Sequence, residues 1–183
     1  MFERIAYPFI DNIKKIGVAA LGLETDPKIV AAGIVAYHET KKAYLVPFQD
    51  TVPTLLALRD SGYKIGIVTD GVPVKQWEKI IRLGLKDFFH KVVVAAEGTE
   101  QKPSPGPFLL AAAGIGAAPK DCMVVGDRID KDILGGRRAG MTTVQIVKAQ
   151  HFPRPPTVGG EPDYIISSLK DILRILATRR PAS

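Results

Sequence analysis

The sequence predicts an α/β fold: a doubly wound parallel sheet with helices on both faces, preceded by a helical N-terminal region. Three observations lead there. From Lys64 onward, short apolar runs alternate five times with segments of helical periodicity. Those runs are almost continuously apolar, as strands buried on both faces are. The first sixty residues carry apolar side chains at helical spacing and no strand pattern.

Taken in order, residues 2–21 and 29–45 have helical spacing, with Asp26-Pro27 as a helix start. A third helix is expected from Asp50-Thr51, with Pro53 in its first turn, to Ser61-Gly62. Residues 64–69 (KIGIVT) read as the first strand, ended by Asp70-Gly71, and residues 73–83 as the helix after it. Further strands are expected at 91–95 (KVVVA), 122–125 (CMVV), 142–147 (TTVQIV) and 164–166, with helices near 105–113, 131–139 and from Leu169. Residues 151–162 form a Pro/Gly-rich loop, a surface lid or an ordinary connector. The organisation expected is a partial helical cap region over residues 1–48 and an α/β core over 49–183.

Composition narrows the function classes. A 46% hydrophobic, 24% charged chain of 183 residues suits one good-sized globular domain with a small appendage. No segment approaches the roughly 20 apolar residues of a membrane span, and the start lacks the layout of a signal peptide. A single cysteine, Cys122, excludes an internal disulfide and a cysteine metal cluster, and suits the cytoplasm. The net charge of +6, from 25 Lys and Arg against 19 Asp and Glu, favours anionic ligands. The basic residues come as scattered doublets without interleaved aromatics, so a nucleic-acid partner is not expected.

In open parallel sheets, ligands bind beyond the carboxyl ends of the strands, and three such ends carry polar groups. In IVTDG, Thr69 offers a hydroxyl, and Asp70-Gly71 begins a turn whose N–H groups can face an anion; the alternative is an ordinary tight turn. In QKPSPGPF, Lys102 precedes two prolines that stiffen the loop, so its ammonium can oppose a phosphate or carboxylate; the alternative is a solvated lysine. In VVGDRIDKDILGGRRAGM, Asp127 and Asp132 can converge at one strand end, where Mg²⁺ would find oxygen ligands. The alternative makes them a helix cap and a first-turn acid. Gly135, Gly136, Ala139 and Gly140 allow the following helix to approach the sheet closely in either case.

The order of these elements, with Lys102 following Thr69 by 33 positions and Asp127 following Lys102 by 25, is similar to the second, third and fourth motifs of the haloacid dehalogenase superfamily of hydrolases. The forms KPSPGPF and GDRIDKDILGGRRAGM resemble its phosphatase-like branch with a helical cap, and the likeness covers roughly residues 46–173. The resemblance implies a Mg²⁺-dependent phosphatase acting on a small phosphorylated metabolite. Thr69 would donate to the transferring phosphoryl group, with Asp70 and Gly71 beside it, and Lys102 would neutralise charge between nucleophile and phosphate. Asp127 would bind Mg²⁺ directly or through water, with Asp132 supporting it. Receiver domains share the architecture but lack the late GDxxxxD.

Family members begin with a strand ending in D-x-D-x-T, whose first Asp attacks phosphorus and whose second acts as acid and base. This sequence contains no such strand end; at its nearest imitation, Val68-Thr69-Asp70-Gly71, Val68 holds the nucleophile's place. The first core strand is therefore expected to be missing from between the strands at 64–69 and 122–125. About four buried aliphatic side chains go with it, worth on the order of 6 to 12 kcal/mol as an upper bound. The chain as it stands is expected to be inactive. It starts at an internal methionine, or is a non-catalytic phosphate-binding or interaction module, or takes the strand from another chain. An exposed strand edge would favour self-association. Substrate choice would lie in the cap, where His38, Tyr37 and Tyr44, like Trp77 in the core, are expected as solvated or packing residues.

Overall fold

The computed structural model describes residues 27–147 and 160–179. The helix expected over 2–21 and most of the loop at 151–162 lie outside the described residues. The chain divides into two units, Met1–Val46 and Pro47–Ser183. In the first, helix α1 (Pro27–Tyr44) opens on a proline, whose fixed φ suits a first turn. His38 is exposed on α1 and meets Tyr37 edge-on at 5.5 Å. No described helix is long and apolar enough to cross a membrane.

The second unit begins with α2 (Thr51–Asp60), β1 (Gly66–Asp70), α3 (Pro73–Arg82), β2 (Lys91–Ala95) and α4 (Gly106–Ile115). It continues with β3 (Met123–Gly126), a π-helical turn (Ile129–Ile133) leading into α5 (Leu134–Arg138), then β4 (Thr142–Ile146), β5 (Tyr164–Ile166) and α6 (Asp171–Arg179). Every strand pair is parallel. Among the described residues the strands form two sheets, β1-β2 and β3-β4-β5, and no ladder joins β1 to β3. In register, Val68 lies beside Val93 and Val125 beside Val144.

Burial on both faces of β3 makes the unit doubly wound. Val124 packs on one core cluster, formed by Phe108, Ala112, Ala139 and Met141. Its neighbours Met123 and Val125 point the other way, to a cluster of Val144, Ile166 and Ile172. Val68 of β1 joins Val124 on the Phe108 cluster, so α4 carries one aromatic ring that both sheets use. The small residues of α5 allow this: a Cβ on Gly135 would overlap the Phe108 ring, and one on Gly136 would meet Val124 Cβ at 3.0 Å. Helix α4 stops at Gly116, whose φ of 70° gives the left-handed cap that glycine adopts without strain.

Two local features differ from the sequence reading. The segment expected as one helix from residue 131 begins instead as a π-helical turn, in which the Arg128 carbonyl accepts from the amides of Lys131, Asp132 and Ile133. On α3, Trp77 was expected to pack, yet it is 38% exposed beside the exposed side chains of Val74 and Ile81. The buried residues of that helix are Gln76 and Ile80, one turn apart on the opposite side. Asp50 does not cap its own helix; its carboxylate accepts from the Leu169 amide and the Ser168 hydroxyl, both at 2.7 Å, and anchors the start of α2 to the loop before α6.

Candidate active site

The loops leaving the carboxyl ends of β1, β2 and β3 meet through charged side chains. Lys102, from the loop after β2, directs its ammonium to Asp132 Oδ1 at 2.8 Å and to the Val68 carbonyl of β1 at 3.4 Å. Both members of that ion pair are largely buried, with side-chain exposures of 14% and 12%. The other Asp132 oxygen accepts from the Arg128 amide at 3.1 Å, a bond made possible by the π-helical turn. Asp70, the last residue of β1, accepts from the Lys102 amide at 3.2 Å and from the Lys131 ammonium at 2.9 Å. Arg128 pairs with Asp130. The Arg128 guanidinium is held above its usual range first by that hydrogen bond, then by the charges of Asp130, Asp132 and Asp127, against the opposing effect of burial.

A buried ammonium is tolerated only where it is paired and hydrogen-bonded. Lys102 meets that condition with a carboxylate and a main-chain carbonyl, so its charge stands in a fixed place at the strand ends. The structure thus brings Lys102 together with Asp132, Asp70 and the end of β1. Thr69, in the same strand end, donates its hydroxyl proton to Gln76 Oε1 at 3.1 Å. The Gly71 amide donates to the Ala95 carbonyl at 3.0 Å and is committed to the main chain. Two residues of this network escaped the sequence reading. Lys131 lies between two acids and reads as a solvated charge. Gln76 could have been found from its i,i+4 spacing to Ile80, which places both on one helix face.

Asp127 follows β3 directly and is half-buried. Among the described residues no group of three or more His, Cys, Asp or Glu side chains gathers to hold a metal. Both Asp132 oxygens accept protein donors, the Lys102 ammonium and the Arg128 amide, and Asp127 is a second carboxylate at the end of β3. That set fits Mg²⁺, which is commonly bound through one or two carboxylates with waters and a substrate phosphate completing the shell.

A Cβ at Gly126 would overlap the Asp132 side chain. Gly126→Ala is therefore expected to displace Asp132 from Lys102 and from the Arg128 amide, at about 1–3 kcal/mol. A drop in the urea midpoint with an unchanged slope is the measurement. On the far side of β3, the Cys122 thiol donates to the Ala118 carbonyl at 3.3 Å, and burial, with the Asp121 charge behind it, raises its pKa. That environment makes it a packing residue.

Residues 5–140 match the model of the haloacid dehalogenase-like hydrolases. The chain belongs to that family. Among relatives of this haloacid dehalogenase-like hydrolase, the glyceraldehyde 3-phosphate phosphatase of Methanopyrus kandleri is 46% identical over 157 residues, covering 85% of this chain and 67% of that protein. The enzyme of the same name from Pyrococcus furiosus is 41% identical over 156 residues, covering 85% and 65%. The crystal structure of a HAD phosphatase from Thermococcus onnurineus superposes with a TM-score of 0.63 at 34% identity, over 73% of this chain and 60% of that one. The chain spans about two thirds of the length of the curated relatives it matches.

Proposed function

We propose that this haloacid dehalogenase-like hydrolase holds the phosphate of a small phosphorylated metabolite at the carboxyl ends of β1 and β3, in a Mg²⁺-dependent phosphatase site. Glyceraldehyde 3-phosphate, in the names of its relatives, is the first compound to test. The observation that carries this reading is the Lys102 ammonium, fixed at the strand ends between Asp132 and the Val68 carbonyl. Thr69, one residue beyond Val68, supplies the hydroxyl donor. Asp127 would hold Mg²⁺, which adds positive charge at the phosphoryl oxygens. Asp132 aligns Lys102, and Asp70 holds the loop of Lys102 and the turn of Lys131 against β1. Residues 1–48 would form the cap region that selects the substrate and residues 49–183 the core, and the single cysteine supports a cytoplasmic setting.

The 183 residues contain no D-x-D-x-T strand end, and so no nucleophilic carboxylate of the family's kind. The chain is therefore expected to bind phosphate without turning over its esters. With Mg²⁺ present, inorganic phosphate at ten times its Kd should add about 1.4 kcal/mol. That corresponds to a rise in Tm of about 3–6 °C for a chain of this size. A flat response would refute the site. Metal-dependent release of phosphate from glyceraldehyde 3-phosphate by the purified chain would refute the expected lack of turnover.

A further inference from the structure

We infer that Gln76 is a positioning residue that decides where the Thr69 hydroxyl proton points, by presenting one or the other end of its amide. The inference rests on the phosphate-site reading above. Thr69 Oγ1 donates to Gln76 Oε1 at 3.1 Å, so in this arrangement its single proton is directed into the protein. An ionised phosphate oxygen is an acceptor only, and Thr69 can serve it only by giving up that bond. Gln76 makes the exchange possible because its side chain ends in an acceptor and a donor of nearly equal size. With the amide turned by half a rotation, Nε2–H donates to Thr69 Oγ1, and the hydroxyl proton is released toward the anion. The Thr69–Gln76 bond then survives with its direction reversed.

Burial gives the arrangement its force. Gln76 is 5% exposed, on a helix whose other buried residue is Ile80, so bulk water does not stand in for it. Its main-chain amide is tied to the Val72 carbonyl at 3.1 Å in the first turn of α3, which fixes the distance from which the side chain reaches back to β1. Packing alone would be met by leucine or methionine at this position. A buried amide offers both an acceptor and a donor, and the Thr69 hydroxyl lies within hydrogen-bond reach of it.

Three variants test this with inorganic phosphate and Mg²⁺, the affinity read by calorimetry and the fold by urea unfolding. Gln76→Glu replaces the amide with a group that has no N–H when ionised and holds the Thr69 proton permanently. Phosphate affinity is expected to fall about tenfold or more, the loss that goes with one hydrogen bond to a charged group. Thr69→Val should lose about as much, and the double variant should lose no more than Thr69→Val alone, because both changes act through the same proton. Simple repulsion between the new carboxylate and phosphate would act equally without the hydroxyl, so additive losses would overturn the inference. Phosphate binding by Gln76→Glu equal to that of the parent would overturn it too. A second readout does not depend on burying a charge: the ¹⁵N side-chain resonance of Gln76 should shift when phosphate is added to the parent and stay still in Thr69→Val. An unmoved resonance in a parent that binds phosphate would overturn the inference alone, whereas a parent that binds none would overturn the phosphate site and this inference together.

Discussion

Replacing Lys102 with methionine is expected to cost about 3 kcal/mol of stability and to abolish the phosphate-dependent rise in Tm. Breaking a buried ion pair by removing one partner typically costs about 3–5 kcal/mol, because the other charge is left in low dielectric without compensation. The Lys102–Asp132 pair retains a little exposure, 14% and 12%, which places the effect at the lower end. The Asp132 carboxylate would keep the Arg128 amide on one oxygen and lose its charged partner on the other. A second substitution separates charge from shape: adding Asp132→Asn to Lys102→Met removes the stranded charge and should restore part of the loss. Urea unfolding of the parent, the single and the double variant gives the comparison. Equal midpoints for all three would show that the pair is not what fixes the ammonium.

Phe108→Ala should be the most damaging change in the core, at about 3–5 kcal/mol. The ring is 3% exposed, and it packs with Ala112, Ala139 and Met141 against Val68 of one sheet and Val124 of the other. Two of its neighbours, Ala112 and Ala139, are small and a third side is closed by the main chain at Gly135, so those sides supply little that can collapse into the space left behind. The midpoint in urea should fall with its slope unchanged. Ile165→Ala is the matched control: that side chain is 68% exposed, and its loss should stay within about 0.5 kcal/mol. A comparable fall for both variants would mean that the ring does not join the two sheets.

The strands were legible to within two residues. Expectations of 64–69 and 122–125 stand against Gly66–Asp70 and Met123–Gly126, because near-continuous apolar runs bounded by turn residues have few other uses. The gathering of Lys102 and Asp132 at the strand ends followed from the rule for parallel sheets. Which lysine meets which acid did not, since Asp70 and Lys131 are 61 residues apart and nothing local selects the pair. The π-helical turn was also hidden: one inserted residue leaves no period to detect, and Arg-Ile-Asp-Lys-Asp-Ile suits an ordinary helix start as well. On α3 the apolar residues Val74, Trp77 and Ile81 recur at helical spacing and advertise the wrong face. The structure buries Gln76 and Ile80 instead and leaves the three exposed. A polar side chain inside and an aromatic one outside reverse the usual signal, and the reversal falls at the helix that touches Thr69.

The seam between β1 and β3 has a consequence for how the molecule responds to its surroundings. At the carboxyl ends these strands are clasped by ammonium–carboxylate bonds, Lys102 to Asp132 and Lys131 to Asp70, in a region where no ladder joins them among the described residues. The Lys131–Asp70 clasp, with side chains 31% and 16% exposed, is the more open of the two to screening by salt. A phosphate held there, as proposed above, would compete for the same two lysines. On that proposal, gripping a ligand and holding the seam shut would draw on one pair of cations, so occupancy at the strand ends and stiffness across the joint would trade against each other.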